Sequence, residues 1–339
     1  MKTAAPARSR AAAPWALPAA TVVVLAGVVL SMKVGARPLA WSELADGLLR
    51  FSATQSDIVV RHVRLPRTIA GLIAGACLGI AGAVAQGITR NPLAGPGTLG
   101  VNAGAAGAMI AVISLAGVGS LTGYVWFGFA GGALAALLVY AIGGSGRDGV
   151  TPVKLALAGA ATSALITAVT SAFVLLDRDL FARYRFWVIG SLARADLPTV
   201  GQAVPFAVAG VVLAVLLVRR LDAVALGEDA SRSLGARPGL TRGTGLAAVV
   251  VLAGTATAVA GPVAFVGLVA PHAARALVGI AHHRVLPLSA LLAAGLVLLA
   301  DVAGRVVVAP EEVHIGVTAA LLGGPVFLYL VRTRTVAAL

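Results

Sequence analysis

The residues of this sequence that could do chemistry are few and lie far apart. Asp301 and Arg305 stand four positions apart, one helical turn, and can pair within an otherwise apolar stretch. A carboxylate in such surroundings can couple proton or sodium movement in a transporter, and a cation one turn away lowers the cost of placing it there. Five histidines, His62, His272, His282, His283 and His314, are scattered without an HExxH pair, and the single cysteine, Cys77, has no CxxC partner. The sequence therefore predicts no metal site and no resident cofactor. His282-His283 reads as a solvated turn, and Cys77 as a small buried hydrophobe. A phosphate-cradling loop of the GxxxxGK(S/T) kind does not occur. The closest approach to an acid–base site, His272 or His314 with Glu311 or Glu312, lacks a nucleophile at recognisable spacing. An enzyme is not expected.

What remains is a set of polar residues at breaks in the apolar chain. The segment from Gln86 through Asn91-Pro92 and Gly95-Pro96 to Asn102 ends one apolar span and precedes another. Pro and Gly interrupt a helix there and free backbone groups that lipid does not satisfy, so the segment must face protein or a water-filled path. Gln86, Asn91, Pro92 and Asn102 are accordingly candidates for lining a pathway, with hydrogen bonding between helices as the alternative. A second Gly-Pro break falls at Gly261-Pro262, with Pro271-His272 beyond it.

The elements that must position these residues are membrane spans. The chain has 339 residues, 59% apolar and 12% charged, with a mean hydropathy of +0.97. A soluble domain is about 45–50% apolar and about 25% charged. Apolar runs fall at about 14–32, 65–88, 98–116, 121–143, 152–176, 198–220, 241–260, 264–280, 285–305 and 313–332, which makes ten. This predicts an all-α polytopic membrane protein forming a single transmembrane domain over 1–339. Glycines four apart, Gly71, Gly75 and Gly79, suit close helix packing in lipid. The net charge of +13 is dispersed between the apolar runs, so it speaks for loop topology and not for nucleic acid. An even span count puts both termini on one side; taking that side as cytosolic places 14 of the 26 Lys and Arg inside, a weak positive-inside bias. Residues 1–13 are then a cytosolic tail, and Arg61, Arg64 and Arg67 cluster outside.

Three loops are more than connectors. Residues 35–63 hold an amphipathic stretch around Trp41, and 177–197 a polar segment with Asp177, Asp179 and Trp187. Residues 221–240 form the longest inner loop, in which Leu226, Ala230 and Leu234 recur every fourth position between Gly227 and Gly235. This short amphipathic helix has nothing obvious to pack on in its own chain and reads as a docking surface for a soluble partner, with a helix lying on lipid headgroups as the alternative.

The order of motifs, RLPR, GAxxGxAGxxxQ, RNPLAxPxxLGVNAGA, LGEDASRSLGAR, GPVAFVGLVAPHAARALVG, ADVAGR and GGPVFLYLVR, resembles the FecCD-type permeases over about residues 15–334. Within that family the strings look most like permeases of ferric siderophore systems of the enterobactin type. The resemblance implies a ten-helix type II ABC-importer permease in the bacterial cytoplasmic membrane. It implies as partners a second permease subunit (a related chain or another copy), two cytosolic ATP-binding subunits and an extracytoplasmic siderophore-binding protein. It makes Leu226, Gly227, Glu228, Ala230, Leu234 and Gly235 the segment that contacts the ATPase. It makes Arg64, Arg67 and Arg305 outer-surface residues that dock the binding protein, and Thr151, Pro152 and Val153 part of the inner gate. Cobalamin and haem permeases belong to the same family. The rival from another class is an ion-coupled secondary transporter using Asp301.

Overall fold

The computed structural model describes residues 13–35, 37–116, 121–145, 151–176, 188–233, 235 and 237–333. Their α-helices are, in order, α1 (Ala16–Lys33), α2 (Trp41–Leu49), α3 (Gln55–Ile58), α4 (Leu65–Thr89), α5 (Val101–Ala116), α6 (Leu121–Gly143), α7 (Pro152–Leu176), α8 (Leu197–Ala225), α9 (Glu228–Ser233), α10 (Pro238–Ala260), α11 (Val266–Val278), α12 (His282–Val306) and α13 (Ile315–Thr333). Seven described helices are long and apolar enough to cross a membrane, and three shorter apolar ones lie in α5, α11 and α13. Together these are the ten expected spans.

Local chemistry sets the helix ends. Pro66, Pro198 and Pro238 sit in first turns, where no N–H is needed. Asp196 caps α8 by accepting the Thr199 N–H at 2.7 Å. Arg90 closes α4 in the left-handed region at φ 51°. A six-residue π-helix, Val59–Arg64, joins α3 to α4, so the chain enters α4 without a loop.

α4 is the axis of the bundle, with α8, α10, α11 and α12 packed around it. Its glycines permit this. A Cβ on Gly75 would stand 2.5 Å from Ala294 Cα, on Gly79 2.2 Å from the Ser289 carbonyl oxygen, and on Gly82 1.6 Å from that of Gly267. α5 and α6 meet the same way, Gly104 against Gly131. The outward faces of α6, α7 and α8 expose Leu134, Leu137, Leu157, Leu165, Val212 and Leu216, an arrangement stable only against lipid or partner helices.

Two boundaries differ from the sequence reading. The eighth span starts only at Val266, because Gly261 at φ 70° and Phe265 at φ 65° hold residues 261–265 out of helix. The long inner loop is also shorter than 221–240: α8 continues to Ala225 and α10 begins at Pro238.

Candidate functional sites at the two ends of the bundle

At one end of the bundle α1 finishes, α4 begins and α12 finishes. Here Asp301, 2% exposed, accepts from two arginines. Arg67 donates Nη2 to Asp301 Oδ1 at 2.8 Å and Nε to both carboxylate oxygens at 3.0 and 3.1 Å, and gives Nη1 to Glu312 Oε2 at 2.8 Å. Arg305 donates Nη2 to Asp301 Oδ2 at 2.5 Å and to Ser31 Oγ at 2.8 Å. Its Nη1 reaches the carbonyls of Ser31 and Val34 at 2.9 and 3.0 Å. Arg64 gives Nη1 to the Met32 carbonyl at 2.7 Å and Nη2 to that of Arg37. Arg61 reaches the Gly47 and Leu48 carbonyls at the end of α2 at 2.7 and 3.0 Å. A helix C-terminus presents unpaired carbonyls and partial negative charge, which explains why guanidinium groups collect there. Two arginines and two carboxylates balance the cluster, and it pins α1, α4, α12 and the 307–314 turn together.

The expected surface placement of Arg64, Arg67 and Arg305 is corrected by this geometry. The three residues are 4%, 6% and 3% exposed, and their terminal guanidinium nitrogens donate inside the chain. Beside them α2 keeps Trp41 and Leu49 exposed, with Lys33 Nζ 4.2 Å over the Trp41 ring. Glu43 fixes α2: it accepts from the Ala40 N–H at 2.8 Å, the Ser56 hydroxyl at 2.7 Å and Arg37 at 3.3 Å. The Ala40 N–H first, then the Ser56 hydroxyl, hold its carboxyl below the usual carboxylate range.

The middle of the bundle brings both helix breaks together. Gly267, at the start of α11, faces Pro96, where a Cβ would lie 3.2 Å from Pro96 Cδ, and Gly159 of α7 lies on the Thr98 carbonyl. Asn91 and Pro92 are half-buried in the first break, and Asn91 Oδ1 accepts the Leu93 N–H at 2.9 Å. Asn102 is half-buried in the first turn of α5, with its Oδ1 buried and unpaired among the described residues. Gln86 does not line an open path here. It is fully buried, donates to the Leu268 carbonyl at 3.3 Å and accepts from Arg275, which also reaches the Ala83 carbonyl at 3.2 Å. Of the two readings of Gln86, hydrogen bonding between helices is the observed one.

At the opposite end, Thr151 caps α7, its hydroxyl accepting the Lys154 N–H at 3.3 Å; Pro152 opens that helix and Val153 is exposed. Leu226 is 66% exposed, and α9 follows between Gly227 at φ 106° and Gly235 at φ 77°, with Glu228 as its first residue and Ala230 exposed. Leu234 lies outside the described residues, as do 1–12 and 177–187. His282 is no solvated turn residue: it is 1% exposed, with Nδ1 2.6 Å from Asp222 Oδ1. Neither this pair, 60 positions apart, nor the Gln86–Arg275 contact left a signal in sequence spacing. A cavity of about 260 Å³ between α6, α8 and α10 is lined by Trp126, Phe129 and Phe206 among others.

A bundle of ten apolar helices with a lipid-compatible outside and polar breaks packed within is a polytopic membrane protein. Residues 23–333 match the model of the FecCD transport family, and the chain belongs to that family. It is 41% identical over 321 residues to the ferric enterobactin transport system permease protein FepD of Escherichia coli, covering 94% of this chain and 96% of that one. It is 37% identical over 310 residues to the probable siderophore transport system permease protein YfiZ of Bacillus subtilis, covering 91% and 93%. The cobalamin import system permease protein BtuC of Halobacterium salinarum is 37% identical over 293 residues, covering 86% and 78%. Among solved structures, a metal-chelate type ABC transporter in an inward-facing conformation superposes with a TM-score of 0.82 at 27% identity, covering 95% of this chain and 100% of that one.

Proposed function

We propose that this chain is the permease subunit of an ATP-binding-cassette importer that carries ferric siderophore complexes across the bacterial cytoplasmic membrane. The observation that carries this reading is likeness over nearly the full length to permeases named for enterobactin and siderophore transport. ATP is hydrolysed by separate cytosolic subunits, which meet the exposed Leu226, the two left-handed glycines Gly227 and Gly235, and Glu228, Ala230 and Leu234 around α9. Both termini are cytosolic. The arginine cluster faces outwards and receives the binding protein. There Arg64, Arg67 and Arg305 act from below the surface, holding the ends of α1, α4 and α12 and the partly exposed Glu312 in one arrangement. Pairing with a second permease encloses the pathway, lined by Asn91, Pro92 and Asn102, with Thr151 to Val153 at its inner gate. A chelated iron needs no metal ligands from the pathway, which suits walls of small and amide side chains.

An ion-coupled carrier using Asp301 is disfavoured, because two arginines already occupy that carboxylate. The test is reconstitution of the chain with its cognate ATPase, permease and binding protein in liposomes. ATP-dependent uptake of radiolabelled ferric siderophore is expected. Uptake of cobalamin in its place would move the substrate to the other branch of the family, and uptake driven by a proton gradient without ATP would refute the importer reading.

A further inference from the structure

The last turn of α8, just before the exposed loop, is tied to the first turn of α12. α12 starts after Ala281, which has no side chain able to cap it. The missing cap comes from another helix: Asp222 Oδ1 accepts the His282 backbone N–H at 2.9 Å and lies 2.6 Å from His282 Nδ1. A carboxylate at a helix N-terminus satisfies an orphan N–H and meets the positive end of the helix dipole. The imidazole is 1% exposed and packs on α4, where a Cβ added to Gly87 would stand 2.8 Å from His282 Nε2 and 3.2 Å from Leu221 Cδ2. Three helices therefore converge on one ring. Asp222 precedes Leu226 by four residues, about 6 Å along the axis. From His282, α12 continues as one helix, with Pro287 in its second turn, to Asp301 in the arginine cluster, about 28 Å away.

We infer that the Asp222–His282 pair is a positioning clamp that passes displacement of the cytosolic loop into α12 and α4. This rests on the reading of the loop as the ATPase contact. Without the clamp, the end of α8 can follow the ATPase while the first turn of α12 stays behind. ATP would then be hydrolysed without transport. His282 is buried and both of its bonds go to Asp222, so the clamp reading places their effect in coupling and not in binding.

The experiment measures siderophore uptake per ATP hydrolysed by the reconstituted four-component complex, with Cys77 shielding from a thiol reagent as the check on folding. Asp222→Ala and His282→Ala should each lower that ratio about tenfold or more, as expected from loss of a hydrogen bond to a charged group, with the ATPase still bound. Asp222→Asn keeps an oxygen that can accept both bonds and should stay near the parent ratio. Gly87→Ala, whose methyl would press on His282 Nε2 and Leu221 while leaving both partners of the pair in the sequence, should lower it. An unchanged ratio in Asp222→Ala and His282→Ala overturns the clamp, and so does an Asp222→Asn ratio as low as that of Asp222→Ala. Leu226→Asp separates the two levels. If it leaves the ATPase bound and uptake normal, the loop reading itself fails. If it releases the ATPase while Asp222→Ala keeps the parent ratio, only the clamp fails.

Discussion

Replacing Asp301 by alanine removes the one carboxylate that two buried arginines share. Arg67 makes three of its hydrogen bonds to Asp301, and Arg305 makes its shortest there. Arg67 keeps Glu312, and Arg305 keeps the hydroxyl and carbonyl of Ser31 and the carbonyl of Val34, but two positive charges then face each other with one partly exposed carboxylate between them. Breaking a buried pair in this way costs about 3–5 kcal/mol, because the surviving charge stays desolvated. The single cysteine gives a direct readout: Cys77 is 2% exposed in the middle of α4, so a thiol reagent reaches it only when the bundle opens. At about 1.4 kcal/mol per decade, labelling of Asp301→Ala in detergent should be about 10²- to 10⁴-fold faster than in the parent, provided closing outpaces labelling. Asp301→Asn, which keeps an acceptor but no charge, should fall in between. Glu312→Gln, at the 33% exposed rim of the cluster, should change labelling by no more than about fivefold, the range of a surface pair. An increase of less than about tenfold for Asp301→Ala would show that water reaches the cluster and would refute its treatment as a buried network.

Three further perturbations have defined outcomes. Gly82→Ala and Gly79→Ala put a methyl into the carbonyls of Gly267 and Ser289, and each should destabilise the bundle by about 1–3 kcal/mol in the same labelling assay, whereas Gly324→Ala, with open space around it, should not. Gln86→Leu leaves Arg275 without its side-chain partner at membrane depth and should cost about 1–3 kcal/mol, while Gln86→Glu should be tolerated better. The lowered pKa of Glu43 means that its contribution to holding α2 is complete above the ordinary carboxylate value of about 4.3 and fades as pH falls through the lowered folded value. Pepsin should therefore cut near Leu49 and Phe51 increasingly as pH drops below about 4, and Glu43→Gln should be cut equally throughout that range.

Much of the architecture was legible because lipid imposes it. A span must be a long apolar helix, so hydropathy located all ten, and the glycines four apart on α4 lie on the face that meets α12. The Asp301–Arg305 pair was legible because one helical turn is a local distance. The burial of Arg64 and Arg67 was not, since their partners on α1, α12 and the 307–314 turn are far away in sequence. The same holds for Gln86: an amide beside a helix break suits a pathway wall or an interhelical bond equally, and only the position of Arg275 decides. His282 misled for a related reason. A His-His pair between two apolar spans looks solvated until a carboxylate from another helix is found over it.

The sequence by itself determined the solvent, the number of spans, the helix breaks and, through its motif order, the family. These follow from local composition and from chemistry within a few residues along the chain. Tertiary structure alone decided which charges are buried and what they hold: the arginines on the ends of α1 and α2, Asp301 between Arg67 and Arg305, and Asp222 over the start of α12. Within a membrane bundle a charged residue is stable only where other segments supply its partners. Those partners are fixed by the packing of helices and not by spacing along the chain.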